Sequence, residues 1–301
     1  MQKWCKMLNK IKSELLNFGL KFISNDEKIV RMILETRPSN INEIVILPAV
    51  KLVMKKILKK LHNKRINGRV YNGELNNVKV SVIRSFIGAP NCAIAVECLK
   101  RCKTKIVIRL DVCGGIENVD SKIDIGDVLI PQRAYCDDGT SPQYIREHPS
   151  LTNSLESISN PLSKFQNLLT GNQTIFISKP NLELIDLLSE EGNSLISNGI
   201  KQVKIWSTDG LFCESLDFIR GLKSVNIQAI DMESSILFLL GRLYNLKTAS
   251  ILSVTDLPGD SKYDLLVSKA IHPNMENGID NAIRILLNTL PKIKYNLLNQ
   301  P

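Results

Sequence analysis

Histidine is scarce in this chain of 301 residues. There are three, His62, His148 and His272, too dispersed to suggest a metal centre built on imidazoles. No apolar stretch reaches the roughly 18 uncharged residues of a membrane span. The longest, "SSILFLLGRLYNL", is interrupted by Arg242. The seven cysteines are odd in number and form no C-x-x-C pair. Cys98 and Cys102 stand four apart on one face of an expected helix, without a histidine nearby in sequence. This usage fits reduced, packed thiols and a cytoplasmic location. The chain has no G-x-G-x-x-G, no phosphate-loop lysine and no G-x-S-x-G elbow. A dinucleotide-binding dehydrogenase, a P-loop ATPase and a serine acyl hydrolase therefore lack support.

What is present in excess is positive charge. Lys and Arg number 39 against 30 Asp and Glu, a net +9. The excess gathers at the N-terminus and in "KLVMKKILKKLHNKR" (51–65). No zinc-ligand spacing or aromatic-glycine RNA motif accompanies it, so a solvated helix face is expected rather than a nucleic-acid surface. Residues 1–25 place apolar side chains at 4, 7, 8, 11, 15 and 22 among lysines. That pattern predicts an amphipathic helix, packed on the rest of the chain or serving a subunit or membrane-surface contact. The chain accordingly divides into a helical extension, 1–30, and one domain, 31–301.

Along that domain, apolar strand-like runs alternate with helical patterns. "EIVILPAV" (43–50) predicts a buried strand followed by a basic helix to about residue 62. "RVYNGELNNVKVSVIRSF" (69–86) predicts a hairpin, and "APNCAIAVECLKRC" (89–102) a helix with Pro90 near its first turn. "KIVIRLDVCGGI" (105–116) reads as a core strand ending at Arg109 and Asp111, before a turn on Gly114 and Gly115. Further strands are expected at 126–135, 203–212, around 229 and from 247, and helices at 181–197, to 246 and at the C-terminus. Residues 136–160 are polar and rich in Gly, Ser and Pro. They are expected to form a long functional loop with little helix. The alternation predicts an α/β fold: a single domain with a central mixed sheet flanked by helices.

In such sheets ligands bind at the carboxyl ends of strands. The polar residues Arg109, Asp111, Asp209, Asp231, Glu233, Thr255 and Asp256 are expected there. Several acids and one arginine suit a polyhydroxylated, partly anionic ligand, such as a nucleoside with a phosphate. In "IDMESS", one carboxylate can accept two adjacent hydroxyls, as in a ribose diol; alternatively Asp231 is an N-cap and Glu233 a first-turn residue. Asp256 in "SVTDLPGD" is either a carboxyl donor to a purine N7 or an Asx-turn residue. Phe212 is either a base-stacking ring or a local hydrophobic contact. "DDGTSPQY" (137–144) is a possible phosphate cradle.

In their order, "VILPA", "VYNGELNNVKVSVIRSFIGAPNCAIAVECL", "IRLDVCGGI", "IDIGDVLIP", "DGTSPQY", "STDGLF", "DMESS" and "SVTD" resemble the nucleoside phosphorylase I family. That family includes purine nucleoside phosphorylases, uridine phosphorylases and related nucleosidases. The similarity spans roughly residues 43–290. It implies a barrel-like mixed sheet, assembly as a homo-oligomer (dimer or hexamer), and cleavage of a nucleoside, most simply phosphorolysis to free base and ribose 1-phosphate. Inorganic phosphate would be a co-substrate, and no cofactor or metal is implied. Carried over, Glu233 would bind the ribose diol with Met232 against the sugar, and Phe212 would stack on the base. Asp256 would act at N7, which favours a purine. Arg109 would bind phosphate, and Arg65 would be lent to a neighbouring subunit. Lys269 falls where some purine enzymes carry an assisting arginine.

The chain also departs from the family pattern. The loop usually reading Pro-Gly-Asp-Pro-x-Arg is "PAVKLV" (48–53), so Ala49 replaces the glycine and Val53 the arginine. Lys51 or Lys55 would supply charge without a bidentate fork. After Arg109 the usual Gly and Ser or Thr are Asp111 and Val112, and a usual glycine at the next strand end is Phe86. Arg84 could add charge for phosphate. Asp111 could instead orient water, which makes a nucleosidase the alternative. A non-catalytic nucleoside-binding protein is a third reading.

Overall fold

The computed structural model describes residues 23–118, 121–165, 171–196, 200–269 and 271–298. The amphipathic pattern of the first 22 residues lies outside these. The first described helix, α1 (Asn25–Leu34), starts where the Ser24 hydroxyl accepts the Glu27 N–H, so it straddles the expected boundary at 30/31. Val30 and Leu34 bury its inner face against α3 (Ala89–Leu99).

Five strands close into a ring. β5 (Ile106–Gly115) pairs with β10 (Ala229–Asp231), β10 with β9 (Lys201–Thr208), and β9 with β6 (Val128–Asp137). β6 pairs with β11 (Lys247–Asp256), and β11 returns to β5. The ring is mixed. β5 and β11 run parallel to each other and antiparallel to β10 and β6. Outside it, β1 (Ile44–Ile46), β4 (Val78–Ile83), β3 (Val70–Leu75) and β2 (His62–Asn67) extend the sheet from β5. β8 (Thr174–Ser178) and β7 (Glu156–Ser159) extend it from β6. This is the expected α/β single domain with a barrel-like mixed sheet.

Helices cover the sheet because its strands are apolar on both faces. Ile44 and Ile46 of β1 pack in one cluster with Ile106, Ile108 and Leu110, beneath α2 (Lys51–Lys60), α6 (Leu182–Leu195) and α9 (Asn274–Ile293). The alternate residues Val45, Val107 and Cys113 join a second cluster with α3 and α8 (Ser234–Leu243). On α2, Val53, Met54 and Ile57 face the core, while Lys51, Lys55, Lys59 and Lys60 are exposed. These lysines thus form a solvated helix face as expected, whereas Lys64 and Arg65 lie on β2, where the sequence predicts no strand.

Two sequence expectations need correction. Residues 136–160 hold two short helices, α4 (Ser141–Glu147) and α5 (Pro149–Thr152), and then β7. Each helix carries proline in its first turn, where the missing N–H is no loss. Asp138 accepts the N–H groups of Thr140 and Ser141 at 2.9 and 2.6 Å, and Asp209 accepts that of Gly139 at 2.8 Å. The donors of the supposed phosphate cradle therefore already serve the chain's own carboxylates. The second correction concerns Gly114 and Gly115, which do not turn the chain. They lie inside β5 and pair with β10. A Cβ on Gly115 would stand 2.6 Å from Ile123 Cγ2 and 2.9 Å from Val254 Cγ1. The glycines permit close approach, so β5 continues past Asp111.

Between Glu214 and Ala229 the chain forms α7 (Leu216–Lys223), capped by the Ser215 hydroxyl. Among the described residues, no helix is long and apolar enough to cross a membrane.

Candidate active site

Arg109 and Asp111 are mid-strand residues, the fourth and sixth positions of β5. The carboxyl end of β10 comes to them. β10 pairs antiparallel with the far end of β5, Ile230 opposite Gly114, so the chain leaving β10 travels back along β5. Asp231 and Glu233 are carried in this way to the guanidinium. Arg109 donates from Nη1 to Asp231 Oδ2 at 2.8 Å and from Nη2 to Glu233 Oε2 at 2.5 Å. Asp111 lies 3.7 Å from the same group.

All four side chains are buried. One cation among three carboxylates leaves an excess of negative charge away from water, and such sites hold protons. Burial pushes the Glu233 carboxyl up to about 7, although Arg109 opposes the rise. Burial also raises Asp111, against Arg109 and the N–H groups of Ala49, Val50 and Val112. The guanidinium is held above its usual range by Glu233, Asp231 and Asp111, despite its own burial.

Glu233 occupies the N-cap position of α8 but does not cap it. Its Oε1 accepts the Gly88 N–H at 2.7 Å, which aims the carboxylate across the site. Asp231 accepts the Ser234 N–H at 3.0 Å and the Ser207 hydroxyl at 2.6 Å. The helix-start alternative therefore describes Asp231 in part and leaves Glu233 free for another role. Gly88 has φ 100°, a conformation that suits glycine.

At the end of β11, Asp256 is paired in register with Gly114 of β5. Thr255 Oγ1 donates to Asp256 Oδ1 at 3.0 Å, with no Asx-turn at this residue. Asp260 and Asp264 make the backbone turns instead, accepting from Lys262, Tyr263 and Leu266. Burial, with the nearby Asp264 charge, raises Asp256 to about 6. Glu214 rises to about 8 through burial and the charges of Asp256 and Asp264.

These groups line one cavity of about 200 Å³. Arg109, Asp111, Asp231, Met232, Glu233 and Asp256 are brought together in its wall, and Ala49, Val50, Ile87, Cys113, Leu211 and Glu214 complete much of the rest. Glu214 was not among the sequence candidates. It lies two residues after Phe212 with no motif of its own, and the fold places it in the wall with Asp256.

Other candidates lie elsewhere. Phe212 is 81% exposed and outside the cavity wall, where Leu211 stands in its place. The single 3-10 turn Leu211–Cys213 directs consecutive side chains differently, which the sequence alone does not reveal. Arg65 is exposed on β2 and borders a separate groove with Asn63, Lys64 and Lys79. Lys269 is exposed and outside the wall. Lys51 and Lys55 point to solvent on α2, and Val53 is buried in the core, so this loop brings no cation to the cavity. Arg84 donates to the Ala49 carbonyl at 2.9 Å and stacks over Phe86, 4.6 Å from the ring centroid. Phe86 itself has φ 66°, a left-handed conformation that explains why glycine suits this position.

Residues 43–291 match the phosphorylase superfamily, and the chain belongs to it. A guanosine phosphorylase of Halorubrum lacusprofundi is 25% identical over 228 residues, covering 74% of this chain and 80% of its own. A DeoD-type purine nucleoside phosphorylase of Brevibacillus brevis is 27% identical over 190 residues, covering 62% and 67%. The uridine phosphorylase of Vibrio fischeri, solved with 6-hydroxy-1-naphthoic acid, superposes with a TM-score of 0.63 at 25% identity. That match covers 84% of this chain and 92% of its own.

Proposed function

We propose that the chain cleaves the N-glycosidic bond of a nucleoside, with a purine base preferred. The observation that carries this reading is the shared cavity of Glu233 and Asp256. Glu233, held by Gly88 and Arg109, retains lone pairs for a ribose diol. Met232 in the same wall supplies an apolar surface for the sugar. Asp256, with its carboxyl raised to about 6, is suited to give a proton to a departing base. A purine offers N7 to that donor. Phe212 at its exposed turn, and Arg65 reaching from one copy into another in a homo-oligomer, belong to the same proposal.

The relatives act by name on guanosine, purine nucleosides or uridine, so the base is chosen here on Asp256. Phosphate is the acceptor implied by the resemblance. Arg109, on which that implication rested, is engaged by Asp231 and Glu233.

The test is release of free base from inosine, guanosine, adenosine and uridine in phosphate buffer, followed by chromatography. Purine nucleosides should turn over faster than uridine. Glu233→Ala should reduce kcat/KM by at least about 100-fold, the scale of losing a charged contact used in the transition state. Base release from none of the four nucleosides would refute the proposal.

A further inference from the structure

The donors that would receive an acceptor anion are occupied by the chain itself. Ala49 and Val50 lead into α2, with Val50 as its N-cap, and their N–H groups are those a helix start offers to an anion. Both point at Asp111: Ala49 N donates to Oδ2 at 2.5 Å and Val50 N to Oδ1 at 3.3 Å. Arg109 stands 3.7 Å away on the other side. Two amides and a guanidinium around a fully buried carboxylate make a complete anion site, filled by a tethered anion. Arg84, the other nearby cation, is held by the Ala49 carbonyl and the Phe86 ring. A phosphate dianion would have to displace Asp111 and leave it buried without its donors, beside a like charge.

Asp111 nevertheless forms part of the cavity wall, as does Arg109, whose buried Nε has no hydrogen-bond partner. Asp256 pairs with Gly114, three residues along β5 from Asp111, so the two residues are offset by about 10 Å along the strands. That distance leaves room for a sugar carbon between an acceptor at one end and a departing base at the other.

Resting on the nucleoside-cleavage reading, we propose that Asp111 replaces the acceptor anion and makes water the acceptor, so that the chain is a nucleoside hydrolase. The C1′–N bond breaks and its electron pair leaves with the base, which takes the Asp256 proton. The water oxygen bonds C1′, and the proton it loses passes to the Asp111 carboxylate. Exchange with solvent returns Asp256 and Asp111 to their starting states. The balance is nucleoside plus water to free pentose plus base.

The experiment uses the full chain dialysed free of phosphate, given inosine, guanosine and adenosine with and without added inorganic phosphate. Free pentose, formed at the same rate in both buffers, is the expected product. Pentose 1-phosphate, formed at a rate that rises with phosphate, would overturn the water assignment while leaving nucleoside cleavage intact. Absence of base release in both buffers would remove the cleavage reading and this inference together. Asp111→Asn keeps the shape and one acceptor oxygen for the Ala49 amide, and a thermal melt checks that it folds. Its hydrolytic kcat should fall about 100-fold with KM little changed, and an unchanged kcat would refute the role of Asp111.

Discussion

Asp256 shows how a residue's type can be readable while its state depends on its surroundings. Burial lifts its carboxyl from 3.8 to about 6, so the folded protein holds this proton more tightly than the unfolded chain does. Stability associated with the group is complete below about pH 4 and is lost as pH rises through about 6. Asp256→Asn should therefore be more stable than the parent above about pH 7, by on the order of 1–3 kcal/mol, with the difference vanishing below about pH 4. Urea titrations at several pH values measure this. Catalysis should move the opposite way: the variant should lose most activity, and the parent's kcat/KM should decline as pH rises through about 6. Arg109 teaches a related lesson. An arginine beside an aspartate in "IRLDVCGGI" signals an anion site, but not which anion. The partners proved to be Asp231 and Glu233, more than a hundred residues away, with Asp111 beside them.

Helices and strands were more legible than the residues between them. The apolar periodicity of α2, α3 and α8 and the apolar runs of β1, β5 and β11 follow from simple patterning. The polarity of residues 136–160 suggests a loop, whereas proline in the first turn and Asp138 at the helix start supply local helix signals. The N-terminal boundary also depends on packing. α1 buries Val30 and Leu34 against the domain. Leu34→Ala should cost about 2–4 kcal/mol in denaturant unfolding, the usual price of truncating a core leucine. A loss near zero would mean that α1 is not part of the cooperative unit.

Ring closure is a property of the whole molecule. β5 shares one edge between two partners, β1 near its start and β10 at its end, while its other edge runs along β11. Gly114 and Gly115 lie at the change of partner, where Val254, Ile123 and Pro258 press close. Gly115→Ala should destabilise the fold by about 1–3 kcal/mol through overpacking. Because the same change would shift β10 against β5, it should also weaken the Arg109–Glu233 contact and lower activity in proportion greater than the loss of folded protein. Comparing the thermal midpoint with the specific activity of the folded fraction tests both parts.

The order of apolar runs, helix starts and acidic strand ends was enough to determine an α/β fold and the residue types gathered in the candidate site. These are local features, set by periodicity and by a few side chains at helix and strand ends. Three-dimensional packing alone decided that Arg109 faces Asp231 and Glu233, that Asp111 takes the amides of Ala49 and Val50, and that Leu211 and Glu214 line the cavity while Phe212 does not. The physical reason is that antiparallel pairing of β10 with β5, and the parallel register of β11, set which distant carboxyls share one buried space. Burial then sets their charge, and no spacing within the chain encodes either outcome.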